Sequence, residues 1–370
     1  VRDNSPLPPS PLVSELMEAV RRGFEDGQGG DPLARLVIEH PLQAFSPRYF
    51  DGSDARLYSY QEAYASASRA LGRETPPRPF VSAPLTVAAD PQAAEISLER
   101  LQRFLGNPAR HFLRERLGIN LAYQEEAVPD TEPFVLDGLA SWRLAHTTFA
   151  RRLAGIDATE ALRLARAEGL LPHGAMGEVE YAALSEKLEP LVEAVRAHGS
   201  LRSEAVVVDL GDCKLVGTVS GLDGELRVEW RTGPLRAVHR LETWVRHLAC
   251  NAALGPRPTR LYALDGKRLY APVEDAVEQL RALVGLLRAG EMEPLPFFPR
   301  TSGAYAEKAY TGEGDPRYAA RRQWEANEYG FGESQDAWFA LAFRGRDPLN
   351  EAAFEQLAID IYFPLLEAES

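Results

Sequence analysis

Two cysteines in 370 residues, Cys213 and Cys250, are too few for a disulfide framework or a four-thiolate metal or cluster site. Both lie in apolar surroundings, where a reduced, buried thiol is the plain reading. Long apolar runs are missing as well. Nothing approaches the roughly 18 consecutive apolar residues of a membrane span, and the first residues lack the basic-then-apolar order of a secretory signal. The expected location is therefore the cytoplasm. Positive charge is in deficit: 41 Lys and Arg stand against 54 Asp and Glu, a formal charge of -13. That excludes a surface gripping a polyanion over its whole area, because such affinity comes from cations neutralising phosphates. It leaves room for one local basic contact. The seven histidines include His239 and His247, eight apart, but no His-Glu-x-x-His spacing, so each reads as a packing or surface residue. No metal or cofactor is expected.

What is present is the composition of an ordinary globular protein, 45% hydrophobic and 26% charged, long enough for two domains or one large one. The chain opens on Val1, and Asn4-Ser5-Pro6-Leu7-Pro8-Pro9-Ser10 reads as the tail of an extended connection, as in a piece of a larger protein. Ser10-Pro11 is a cap and first-turn pair, and Leu12, Leu16, Val20 and Phe24 recur at helical spacing, predicting a helix over 10–25. Residues 27–91, rich in Gly, Pro, Ser and aromatics, read as a long ordered crossing segment with its aromatics pinned into grooves.

Helical periodicity starts at Ser97 and is interrupted at Gly106-Asn107-Pro108. It continues over 135–153, from the Asp157-Ala158-Thr159-Glu160 capping box to Gly169, and over 178–197. Strands are predicted at 204–210, 213–222, 225–231 and 259–264, the second and third joined as a hairpin by Asp223-Gly224. Helices follow at 238–253, 273–289, 318–327 and 349–366. No internal repeat or low-complexity tract appears.

The segment from Lys214 to Gly233 carries the chemistry. Alternation in a strand places Glu229 and Arg231, two apart, on one face, and Ser220 lies on the preceding strand. This hairpin resembles the metal-dependent nucleases of the PD-(D/E)XK kind, more narrowly the RecB and AddB type, which read Gly-x-Val/Ile-Asp on one strand and Asp-Tyr-Lys-Thr-Gly on the next. On that pattern Ser220 stands at the first Asp, Glu229 keeps the second acid, Arg231 replaces the Lys, and Thr232-Gly233 closes the motif. The resemblance implies a restriction-endonuclease-like α/β (α+β) fold with extensive added helices and a degenerate site. Ser220 brings no anionic oxygen for a hard cation, and Arg231 is a planar, permanently charged fork in place of an ammonium. Asp212 and Asp223 are the nearby carboxylates that could substitute. Both sit in turns, where an Asx-turn role competes.

Longer blocks are similar to the gamma subunits of exodeoxyribonuclease V. They are Ser97 to Ile119, Glu39 to Phe50, Gly169-Leu170-Leu171-Pro172-His173-Gly174, and Pro296-Phe297-Phe298-Pro299-Arg300 with Arg322-Gln323-Trp324-Glu325 and Gly332-Glu333-Ser334 beyond it. The helix Leu241 to Leu248 lacks the Gln of active nucleases. The resemblance implies the end of a helicase-like region over 1–90 and an inactive nuclease-like domain over 91–370. It further implies a non-catalytic part that meets RecB and RecD motor subunits and guides or splits the strands of double-stranded or forked DNA during break repair. An active Mg²⁺-dependent nuclease using Asp212 or Asp223, and an α/β domain that binds only proteins, are the other two readings. Phe45, Tyr49, Phe50, Tyr58 and Tyr60 suit either base stacking or packing.

Overall fold

A computed structural model describes residues 8–25, 27, 29–71, 77–86, 94–121, 135–326 and 330–370. Residues 4–7 of the opening segment, 28, 72–76 and 87–91 of the crossing segment, and Asn327 of one expected helix lie outside them. Contacts divide the chain into two units, Val1–Pro76 and Pro77–Ser370.

In the first unit Ser10 caps α1 (Pro11–Gly23), its hydroxyl accepting from the Val13 amide at 3.5 Å. The predicted crossing segment is more structured than its composition suggests, holding α2 (Leu33–Leu36), a 3₁₀ turn at Pro47–Tyr49 and α3 (Glu62–Leu71). Its aromatics are not all pinned. Tyr49 and Phe50 are half-buried, whereas Tyr58 and Tyr60 are exposed, Tyr60 to 93%.

The second unit is built on a six-stranded mixed sheet. Short β1 (Glu95–Ser97) leads into α4 (Leu98–Gly106), whose N-cap is Ser97. The expected break at Gly106-Asn107-Pro108 is a restart: Asn107 ends α4 and caps α5 (Pro108–His111), which runs on as a π-helical turn, Phe112–Arg116. After α6 (Gly138–Leu153), α7 (Ala158–Ala167) and α8 (Gly174–Arg196) come β2 (Arg202–Asp209), β3 (Lys214–Asp223) and β4 (Leu226–Trp230). Then follow α9 (Ala237–Leu254), β5 (Thr259–Ala263) and β6 (Gly266–Tyr270). The remaining helices are α10 (Ala276–Gly290), α11 (Pro299–Thr311), α12 (Pro316–Trp324), α13 (Ala337–Ala342) and α14 (Ala352–Ala368). The predicted hairpin is present, with Asp223 opposite Leu226 and Gly224 left-handed at φ +55°. No described helix is long and apolar enough to cross a membrane.

Strand β3 is the centre of the sheet. It pairs antiparallel with β2 along its length, parallel with β1 at Lys214–Val216, and antiparallel with β4 at Leu222–Asp223; β4 and β5 are parallel, β5 and β6 antiparallel. One face carries Val206, Val208, Leu215 and Val219 against Leu101 and Leu105 of α4, Trp244, Val245 and Leu248 of α9, and Leu283 and Leu287 of α10. The other face meets α6 and α8, where Trp230 and Tyr262 pack on Phe149, Leu191 and Val192. A second core, centred on Phe298, joins α5, α11, α12, α13 and α14. Burying such apolar area at about 25 cal/mol per Å² is what holds the layers together.

Candidate functional site

Alternation along β4 sorts its side chains. Val228 and Trp230 point to the α6/α8 layer; Arg227, Glu229 and, one residue past the strand, Arg231 point to the α9 layer. The Arg231 amide donates to the Tyr262 carbonyl at 2.8 Å, extending the ladder. Across from them α9 presents Glu242 and Arg246, four residues apart and so on one helix face.

These five side chains form one charged cluster. Glu229, only 9% exposed, accepts from Arg227 Nη2 at 2.5 Å and Arg246 Nη2 at 2.5 Å, with Arg231 Nη2 at 3.5 Å. Arg231 also pairs with Glu242, which lies 3.9 Å from Arg246. Burial alone would raise the Glu229 pKa, but the guanidiniums of Arg227 and Arg246 override it and hold the carboxyl at about 2. Arg227 is 1% exposed; its Nε donates to the Ser220 carbonyl at 3.2 Å, while its Nη1 has no protein partner. Arg231, Glu242 and Arg246 open onto a cleft of about 490 Å³ walled on its other side by α4, α5 and the following π turn.

Glu229 and Arg231 come together as expected; the Ser220 side chain does not join them. The register of β2 on β3 steps from Ser203↔Ser220 to Arg202↔Leu222, leaving Gly221 as an extra residue, a β-bulge with φ +83°. Core-facing positions are therefore 215, 217 and 219 before the bulge and 222 after it. Ser220, paired with Ser203, lies on the opposite face and is exposed. The PD-(D/E)XK pattern, laid on the hairpin without the bulge, is what placed it beside Glu229. The two substitute carboxylates are engaged elsewhere: Asp212 pairs with Arg288, and Asp223 meets His198 Nδ1 at 2.9 Å, whose Nε2 meets the Tyr262 hydroxyl at 3.0 Å. Among the described residues no three His, Cys, Asp or Glu side chains are grouped to hold a metal ion.

The reading of the β4 strand did not single out Arg227, Glu242 or Arg246. Arg227 was legible as the same-face neighbour two before Glu229, and the Glu242/Arg246 pair by its i, i+4 spacing. What no spacing shows is which strand α9 covers.

Residues 93–310, from the edge of β1 to the last turn of α11 and including the whole cluster, match the family model described as RecC C-terminal domain. That match covers more than half of the chain. The chain belongs to the RecC C-terminal domain family. The RecBCD enzyme subunit RecC of Mycobacterium tuberculosis (strain CDC 1551 / Oshkosh) is 29% identical over 100% of this chain and 36% of its own length. The subunit of the same name from Escherichia coli K12 is 27% identical over 96% of this chain and 33% of its own, and that of Mycolicibacterium smegmatis 28% identical over 85% and 29%. The chain thus spans about a third of the length of these RecC relatives. The arginine-bound Glu229 cluster lies inside the region that matches the RecC C-terminal domain.

Proposed function

We propose that this chain is a non-catalytic, nuclease-derived domain of an exodeoxyribonuclease V gamma subunit, which scaffolds RecB and RecD partners and guides the separated strands of a broken duplex. The observation that carries the non-catalytic part is the occupancy of Glu229. A divalent cation at a carboxylate pair needs open oxygen lone pairs and more than one acid. Glu229 offers its oxygens to Arg227, Arg246 and Arg231, so three fixed positive charges stand around the carboxylate where a metal would approach. The adjacent antiparallel β3 and β4 resemble the strand pair of a PD-(D/E)XK site, with Ser220, the counterpart of its first acid, turned to the other face. On this reading the charge once balanced by a metal is balanced by arginine.

Two measurements test it. The chain incubated with Mg²⁺ or Mn²⁺ and single- or double-stranded DNA is expected to leave the DNA intact; metal-dependent cleavage that disappears in Glu229→Ala would overturn the non-catalytic reading. Co-expressed with RecB- and RecD-type subunits and the rest of a gamma subunit, it is expected to co-purify as one assembly. Failure to associate would overturn the scaffold reading.

A further inference from the structure

We propose that the cleft between the α4–α5 wall and α9 is a sequence-independent binding groove for the sugar-phosphate backbone of a single DNA strand, gripped chiefly by Arg103, Arg110 and Arg114. This rests on the strand-guiding function above and gives it a location. Arg103 of α4, Asn107 at its end, Arg110 of α5 and Arg114 of the π turn together line this side of the cleft. The opposite side supplies Arg231 and Arg246. Five arginines line the cleft against three glutamates, Glu99, Glu115 and Glu242, in a chain whose overall charge is -13. Positive charge has been concentrated where the remainder of the surface is acidic, which focuses attraction for a polyanion.

The arginines divide by role. Arg231 and Arg246 are held by Glu229 and Glu242. Among the described residues no carboxylate pairs with Arg103, Arg110 or Arg114; all three are exposed, and Arg110 lies over the Trp338 ring at 5.9 Å, which orients it without neutralising it. Three unneutralised guanidiniums are suited to phosphate oxygens, which a planar fork meets in pairs.

Two features select the ligand. Among the described residues no Phe, Tyr or Trp lines the cleft, so bases find no stacking platform among them and contact falls on the backbone. Among the described lining residues Val238 is the one apolar side chain, the rest of the apolar surface being stems of polar residues, whereas a docked protein segment draws its affinity from apolar and aromatic anchors in pockets. A strand of phosphates fits; an acidic peptide is the competing occupant for the test to exclude.

The experiment measures binding of the full 370-residue chain to a labelled 20-nucleotide single strand by fluorescence anisotropy across a salt series. It compares the parent, Arg103→Gln/Arg114→Gln, and a charge-matched control, Arg69→Gln/Arg202→Gln, whose arginines are exposed and outside the cleft. Removing two phosphate contacts is expected to weaken binding about tenfold at moderate salt and to lower the salt slope by about 1.4, at roughly 0.7 per contact on a single strand. The control and strands of different base composition are expected to match the parent. An equal loss in the control, or none in the cleft variant while the parent binds, overturns the cleft and leaves strand guidance standing at another surface. No binding by the parent overturns both. Competition by poly-glutamate at equal charge as effective as by the strand makes the cleft a protein-docking site and overturns the nucleic-acid assignment.

Discussion

Glu229 keeps its charge inside the protein because three guanidiniums surround it, and that balance fixes what its removal does. In Glu229→Gln the buried Arg227 loses its 2.5 Å partner, leaving an uncompensated charge out of water. The expected cost is about 3 kcal/mol, read from urea unfolding; a loss under about 1 kcal/mol would mean that the cluster is solvated and the compensation argument fails. The same charge gives an acid dependence. A carboxyl held at about 2, against an ordinary 4.5, contributes stability that is present above pH 4.5 and is lost as pH falls toward 2, about 3 kcal/mol in all. Ser220, by contrast, faces away from this cluster. Ser220→Asp with Arg231→Lys is therefore expected to bind no more Mg²⁺ or Mn²⁺ than the parent by calorimetric titration, with both folded by circular dichroism. Micromolar binding gained by the double variant would show that Ser220 does reach the Glu229 face.

Two elements set the position of that cluster, the bulged β3 and the buried helix α9. At Gly221 a β-carbon would come within 1.8 Å of the Val228 carbonyl oxygen, whereas at Gly224, also left-handed, it would meet nothing within 4 Å. Gly221→Ala is therefore expected to cost about 3 kcal/mol and Gly224→Ala about 1; equal losses in thermal or urea unfolding would remove the close approach as the reason for the bulge. In α9, His247 Nε2 donates to the Ala271 carbonyl at 3.0 Å, so its Nδ1 accepts from the Thr259 hydroxyl at 2.8 Å. Burial, with Arg227 nearby, pushes its pKa down to about 4. A folded value below the unfolded 6.5 means stability present above pH 6.5 and lost as pH falls toward 4. The urea midpoint of the parent is expected to drop over that window and that of His247→Gln to stay flatter there; parallel curves would place the titration elsewhere. Both elements were visible in the sequence as a strand and a helix. The bulge was not, although a lone glycine inside a strand pattern is its usual sign. β6 went unread because it has little alternation to show: Gly266, Lys267 and Arg268 are exposed, and the edge is covered by backbone pairing of Leu269 with Ser370. α11 went unread because its buried residues begin with Pro299, Thr301, Ser302 and Gly303, which look like loop, and only then reach Tyr305 and Ala306. Its start is instead fixed by Glu333, accepting from the Arg300 and Thr301 amides at 3.0 and 2.7 Å.

At the scale of the whole molecule, the strand-rich stretch between helical runs already implied a sheet clothed by helices, because each strand's apolar side needed a helix to bury it. The unit Val1–Pro76 is where composition misled, since the turn-forming residues and aromatics suggested a pinned crossing segment. Among its described residues only Leu33 and Leu57 are buried hydrophobics, α1 buries none, and Leu12, Leu16, Phe24, Leu36 and Leu42 are each at least 65% exposed. Two leucines cannot offset the ordering of some sixty described residues, which costs about 1 to 2 kcal/mol each in backbone entropy, so this unit is expected to depend on a surface that covers those side chains. The Pro77–Ser370 unit, with its two large cores, has no such need. Expressed separately, residues 77–370 are expected to unfold cooperatively in urea with dispersed amide resonances. Residues 1–76 are expected to show the narrow amide dispersion of an unordered chain and no cooperative transition. A sharp transition in the isolated 1–76 segment would mean that its exposed apolar positions are an ordinary surface, and the inference that they are covered in the working protein would fall with it.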